Sequence, residues 1–217
     1  MKEKRKTILV SVFTLMIVTV VGVISYYIYE GINYVSTEDA KISGDIVRVS
    51  PRIVGKLEEF HAEEGDYVEE DQVLGRQSIE NVMDSDYDQA LIKSPISGKI
   101  IKKQGSVGEN VAPGQILVML VEPKKLYVTA NIEEKEINKL KEGQNVDITI
   151  DQFGNKVFKG KLKSIGQAAN SAFSVFPSSS GTTFTKVIQK IPVNIEFEHD
   201  DKILMGTNVS VKIHVKN

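Results

Sequence analysis

No cysteine occurs among the 217 residues, so disulfide stapling and lipid attachment through a cysteine are both excluded. Histidine is scarce, with three copies. His61, His199 and His214 are scattered through stretches of β rhythm and are not spaced as a motif, so neither a zinc site nor a catalytic base is indicated. No serine lies in a nucleophile-elbow pattern. A basic excess is missing too: the formal net charge is −2, and setting aside the N-terminal stretch, with four basic residues and one acidic, leaves 23 basic against 28 acidic. That balance does not suit a phosphate backbone, and no nucleic acid partner is expected.

The N-terminus is the one strongly apolar part. Lys2, Lys4, Arg5 and Lys6 precede an uncharged run from Ile8 to Tyr29, 22 residues long, which meets the roughly 20 needed to cross a bilayer as a helix. A cleaved signal peptide would have an apolar region of about 7–15 residues and a small-residue cleavage site, and Val23-Ile24-Ser25-Tyr26-Tyr27 offers none. Residues 1–7 therefore read as a cytoplasmic basic flank and 8–29 as a transmembrane helix in the cell (plasma or inner) membrane. Glu30, Glu38 and Asp39 follow, so the rule that basic flanks stay inside places the remaining chain outside the cytoplasm. The lipid bilayer is thus an expected partner of the anchor.

Residues 30–49 form a polar, membrane-proximal approach, and from Asp45 onward apolar and polar residues alternate in short runs broken by Gly, Pro and Asp. That is the period of β-strands. The chain also repeats itself. Ser50-Pro51 and, from Ile53, IVGKLEEFHAEEGDYVEEDQVLG return as Ser94-Pro95 and ISGKIIKKQGSVGENVAPGQILV, with one residue fewer between the Pro and the first Gly. From Gly55 the register is a constant 43 residues, pairing Gly55 with Gly98, Gly65 with Gly108, Val68 with Val111 and Leu74 with Leu117. Each copy reads as strand, turn at the second Gly, then strand, with Gly55, Gly65, Gly98 and Gly108 as structural turn glycines. One copy cannot bury its own apolar face, whereas two packed face to face make a small β-sandwich over 50–122. Its connector, 76–93, is polar and acidic. In it Asp84, Asp86 and Asp88 alternate as calcium ligands do, but a calcium loop needs Gly at its sixth place and Glu at its twelfth. Those places hold Gln89 and Pro95, so no metal is expected.

Beyond the repeat, strands are expected at Leu126 to Ile132, Asn145 to Ile150, Lys156 to Ile165, Lys186 to Phe197 and Thr207 to Val215. Asn131 and Glu134 have capping-box spacing for a short helix that Gly143 would end. Residues 123–217 read as a barrel-like β module with returning membrane-proximal strands. A loop from Gln167 to Thr182 carries Phe173 and Phe176, two aromatics that are candidates either for contact with a partner or the membrane surface, or for plugging the end of the barrel. The expected fold class is mainly β: one N-terminal transmembrane helix, a sandwich of two half-motifs, then a β-barrel.

The paired half-motifs resemble the lipoyl-like domain of the membrane fusion proteins, the periplasmic adaptor or HlyD family. Thr37-Glu38-Asp39-Ala40 and IKSPISGKI at Ile92 to Ile100 are similar to the openings of the family's two lipoyl halves. SAFSVFP at Ser171 to Pro177 and FTKVIQKIPVNIEF at Phe184 to Phe197 resemble the end of the β-barrel in its EmrA-like branch. The resemblance implies an adaptor for a membrane transporter, of the major facilitator type in this branch with an ABC type as second choice. It also implies self-association into a collar and export of drugs or other small molecules. The chain departs from the family in one respect: a long helical hairpin commonly joins the two halves, and here the connector would extend only about 12 Å as a pair of short helical arms. Direct docking to an outer-membrane channel is therefore in doubt. Lipoate or biotin is not an expected cofactor, because the only lysine of the connector is Lys93, at the start of the second half and not at a hairpin tip. No enzyme activity is expected. The competing reading is an anchored extracytoplasmic binding module that works without a transporter.

Overall fold

The computed structural model describes residues 2–78, 87–154, 156–169, 188–199 and 202–215. Helix α1 runs over Lys2–Asn33. Its segment Val12–Asn33 is long and apolar enough to cross a membrane, and none of its residues is buried in the protein. Val12, Leu15, Val18, Val21 and Ile24 are about half exposed or more, as side chains that face lipid would be. The helix runs past the expected end at Tyr29, through Gly31, to Asn33.

The folded part divides into two compact units, one made of residues 1–41, 128–198 and 208–217, the other of 42–127 and 199–207. The first unit contains a closed six-stranded barrel. Its strands are β1 (Tyr34–Ser43), β10 (Tyr127–Glu133), β11 (Asn145–Ile150), β12 (Val157–Ile165), β13 (Lys190–Phe197) and β14 (Asn208–His214). Around the barrel their order is β1, β10, β13, β12, β11, β14. Strict alternation builds its interior: Val128, Ala130 and Ile132 on β10, Val146, Ile148 and Ile150 on β11, and Val209, Val211 and Ile213 on β14 are all buried. Each fully buried Ile contributes about 1.5–3 kcal/mol relative to exposure. The segment 30–49, expected as a membrane-proximal approach, holds β1, whose pairing with β14 runs from Tyr34 opposite His214 to Lys41 opposite Asn208. A bulge between Thr37 and Ala40 shifts its phase, which hides the alternation from a local reading.

The second unit is the sandwich. Its strands are β2 (Val47–Val49), β3 (Gly55–Phe60), β4 (Tyr67–Val68), β5 (Val73–Ser78), β6 (Leu91–Lys93), β7 (Gly98–Lys103), β8 (Asn110–Val111) and β9 (Val118–Val121). They form two sheets, ordered β2-β9-β7-β4 and β6-β5-β3-β8. Exchanging the halves turns one order into the other. Each half lends its short second strand to the other half's sheet: Tyr67 pairs with Lys99 and Val68 with Gly98, while Lys56 pairs with Asn110 and Gly55 with Val111. Gly65 N–H donates to Ile100 O at 2.8 Å, and Gly108 N–H to Leu57 O at 2.7 Å. Leu57, Leu74, Ile100, Leu117 and Leu120, contributed by both halves, lie in one core. Neither half keeps its own edge, so neither folds without the other.

The connector is shorter than 76–93. Arg76–Ser78 complete β5 and Leu91–Lys93 form β6, because Gln77 and Ile92 are both buried at 2% exposure. Between the strands, helix α2 spans Tyr87–Ala90. Helix α3 is Glu134–Ile137, with Glu133 and not Asn131 at its N-cap and no side-chain cap bond. Strand β10 runs on to Glu133, which takes Asn131 into the barrel wall. Gly143, with φ of +87°, lies in the turn before β11, beyond the end of the helix at Ile137.

Candidate functional site

The end of α1 is tied to the folded part where the helix meets the barrel. The last turn of α1 leaves carbonyls without helical donors. Two of them find partners in the barrel unit: Asn33 O accepts from Val215 N–H at 2.8 Å, and Gly31 O from Lys139 Nζ at 3.1 Å. An ammonium at a helix C-terminus is favoured by the helix dipole as well. Lys212 Nζ on β14 reaches Glu30 Oε1 at 2.7 Å, and this bond raises the lysine's pKa. Tyr34 packs edge to face on His214, ring centres 5.0 Å apart.

Beside this link the outer barrel wall carries paired charges. Asp147 accepts from Lys159 Nζ at 2.6 Å and meets His214 Nε2 at 3.1 Å. Burial pushes the Asp147 carboxyl up, but the bonds from Lys159 and His214 outweigh it and hold the group below the usual carboxylate value. Asp39 on β1 is held low by the hydrogen bond from Lys190 Nζ at 2.7 Å, and then by Asn131 Nδ2 at 3.0 Å. These pairs tie β1, β10 and β13 together across the wall, and β11, β12 and β14 likewise.

The expected site residues divide. Gly65 and Gly108 have φ of +98° and +91° with open space where a Cβ would stand, so backbone conformation is what requires them. Gly55 and Gly98 are the first residues of β3 and β7 and not turn glycines. There a Cβ would stand 2.7 Å from Ser78 O and 2.6 Å from Val121 O, so close backbone approach is the reason. Phe173 and Phe176 lie outside the described residues, as do Asp84 and Asp86. Asp88 bonds Lys93 Nζ at 2.5 Å. His61 faces Glu59 at 3.6 Å on an exposed edge. Among the described residues no three His, Asp or Glu side chains gather as a metal site. Glu30, Lys139 and Lys212, which join the anchor to the barrel, were not found from the sequence. Contacts between residues up to 182 positions apart leave no local signal.

Residues 45–122 match the family described as the barrel-sandwich hybrid domain of RND membrane fusion proteins, and residues 126–213 match the YknX-like beta-barrel domain. YhbJ of Bacillus subtilis (strain 168), named as an efflux system component, is 34% identical over 183 residues, which cover 83% of this chain and 80% of that protein. EmrK of Escherichia coli (strain K12), named as a multidrug resistance protein, is 35% identical over 134 residues. That match covers 58% of this chain but about a third (34%) of EmrK's length. Among solved structures, ZneB from Cupriavidus metallidurans matches with a TM-score of 0.63 at 16% identity, over 83% of this chain and 98% of that one. The membrane fusion protein Spr0693 from Streptococcus pneumoniae R6 matches with a TM-score of 0.60 at 16% identity, over 85% and 99%. These last two likenesses show the fold. With the match to YhbJ over most of both chains, and with the sandwich, barrel and apolar helix in place, this chain belongs to the membrane fusion protein (HlyD) family of adaptors.

Proposed function

We propose that the chain is the membrane-anchored adaptor subunit of an export system, assisting a transporter in efflux of drugs or other small molecules. The observation that carries the reading is the similarity to YhbJ over 80% of that protein's length. In this reading α1 crosses the cell membrane with its basic flank in the cytoplasm, as Lys2, Lys4, Arg5 and Lys6 favour, and the β units stand outside. They pack on the transporter's outer face, and copies of the chain associate into a collar through which substrate leaves. A major facilitator transporter is the favoured partner, an ABC type the second choice. The chain performs no catalysis; its work is positional. Between β5 and β6 lie residues 79–90, too few for the helical hairpin that would reach an outer-membrane channel, so the adaptor acts at the transporter and not across two membranes.

The test is affinity purification of the full-length protein from crosslinked, mildly solubilised native membranes, with co-purifying proteins identified by mass spectrometry. A stoichiometric polytopic transporter is the expected result. Its reproducible absence, with the tagged protein folded and abundant, would point to an anchored binding module that needs no transporter.

A further inference from the structure

The two halves of the sandwich share a fold but not a charge. Residues 55–77 carry eight carboxylates against two basic side chains, while the matching residues 98–120 carry one against three. Both build matching strands, so the fold is indifferent to that difference. One turn makes the point in detail. Glu69-Glu70-Asp71 and Ala112-Pro113-Gly114 occupy the same place in the 43-residue register. Each turn is closed by the same backbone bond, Gln72 N–H to Glu69 O and Gln115 N–H to Ala112 O, both at 3.1 Å. Asp71 holds φ of +64° where Gly114 has +90°, a conformation that glycine adopts at no steric cost. The carboxylates therefore supply nothing that the turn needs.

Part of the first half's charge is neutralised within the sandwich. Arg76 bonds Glu59 at 2.8 Å and approaches Glu58 at 3.7 Å, and Lys103 bonds Glu63 at 2.8 Å. Glu69, Glu70 and Asp71 are different: they are exposed, and their carboxylates have no partner among the described residues. Free cations lie on the sheet β2-β9-β7-β4, where Arg48 stands opposite Met119 and Met119 opposite Lys102. Arg48 and Lys102 are exposed and have no ion pair among the described residues. Under the same register the matching row of the other sheet is Leu91, Arg76 and Glu59, which neutralises itself. Arg48 is on β2, one edge of its sheet, and the acidic turn follows β4, the opposite edge.

We propose that this basic row is a docking surface for a second copy of the chain. Arg48 and Lys102 of one copy receive the acidic turn 69–71 of the next, with Met119 between the two cations. The two surfaces are different patches, so the contact is head-to-tail, and repeated it closes into a ring or runs on as a filament. Copies anchored through α1 stand the same way up in one membrane, which suits closure around an axis along the membrane normal. The charges also turn away wrong pairings, since like faces repel. The inference rests on the self-association of the export reading and names its surface.

The test reads oligomer size of the full chain in mild detergent by sedimentation velocity at low salt. Arg48→Glu with Lys102→Glu makes both surfaces acidic, and Glu69→Lys with Glu70→Lys makes both basic overall. All four positions are exposed, and circular dichroism checks that each variant is folded. Each variant alone should associate about tenfold more weakly than the parent, or worse, with the difference shrinking in high salt. An equimolar mixture should regain the parent's size, because alternating copies again present opposite charges. The chain has no cysteine, so Arg48→Cys with Glu70→Cys gives a second reading that reverses no charge. Oxidation in vesicles should link its copies into a ladder of multimers, whereas either cysteine alone stops at dimers. A parent oligomer that the folded variants keep at full strength, or a double-cysteine chain that gives no ladder, overturns the contact and leaves the collar standing. A parent that stays monomeric at every concentration removes the collar and this contact with it.

Discussion

Lys212 Nζ stands 2.7 Å from Glu30 Oε1 and 4.3 Å from the centre of the Tyr34 ring, so one ammonium joins strand β14 to the end of α1 and to the first residue of β1. Anchor and barrel are linked there by more than the chain itself. The ion pair is 39% and 36% exposed at its two side chains, so solvent screens it and its worth is about 0.2–1 kcal/mol. Lys212→Ala should lower the barrel's melting temperature in vesicles by about 1–3 °C. The difference should shrink in high salt, and Lys212→Arg should restore most of it. A melting temperature unchanged at low salt would remove the link from the account.

Acid should loosen the barrel through two carboxylates. Asp39 is held low by Lys190, and Asp147 by Lys159 and His214 against the opposing push of burial. The folded protein therefore releases these protons at lower pH than the unfolded chain, whose aspartates titrate near about 3.9. Both groups stabilise the fold above that value, and the benefit is lost as pH falls through the lower folded values. Melting followed by circular dichroism should change little between about pH 6 and 5 and drop below about pH 4. In Asp147→Asn the drop should be smaller. A barrel that melts higher at pH 3 than at pH 5 would contradict the assignment.

The four repeat glycines should respond to substitution in two ways. At Gly98 an added Cβ meets the backbone oxygen of Val121 at 2.6 Å, a contact that no side-chain rotation relieves. Gly98→Ala should cost about 1–3 kcal/mol, and Gly98→Asn more. At Gly108 space is open and only the positive φ matters. There Gly108→Ala should cost about 1–2 kcal/mol, and Gly108→Asn less, because Asn tolerates that conformation. Urea unfolding midpoints of the four variants would check the reversed order of Ala and Asn.

The legible parts of this fold are those whose signal is local. Val128, Ala130 and Ile132 alternate without a break, and the strand expected from Leu126 to Ile132 lies within one residue of β10. The 43-residue register gave the sandwich, and the paired ladders of Tyr67 with Lys99 and Lys56 with Asn110 show why it is so regular. Strand β1 was missed because its bulge breaks the alternation and its partner strand lies near the other end of the chain. Asn131 had the spacing of a cap, but barrel pairing with Pro192 outweighed that local preference. The link between Glu30 and Lys212 is a product of barrel closure alone.

The last prediction concerns Phe173 and Phe176, candidates either for contact with a partner or the membrane surface or for plugging the end of the barrel. Two large aromatics in a Gly, Ser and Pro setting fit the composition of interface anchors. If they meet the transporter, replacing both by alanine should reduce recovery of the crosslinked partner by about tenfold or more. The melting temperature of the adaptor should then stay within about 1 °C of the parent, since surface changes are nearly neutral. If they fill the end of the barrel instead, the same substitutions remove core packing and cost about 3–5 kcal/mol each. In that case melting falls by many degrees while the partner is still recovered from whatever protein stays folded. Measuring recovery and melting on one preparation separates the two, because each assignment predicts a change in the quantity that the other leaves alone.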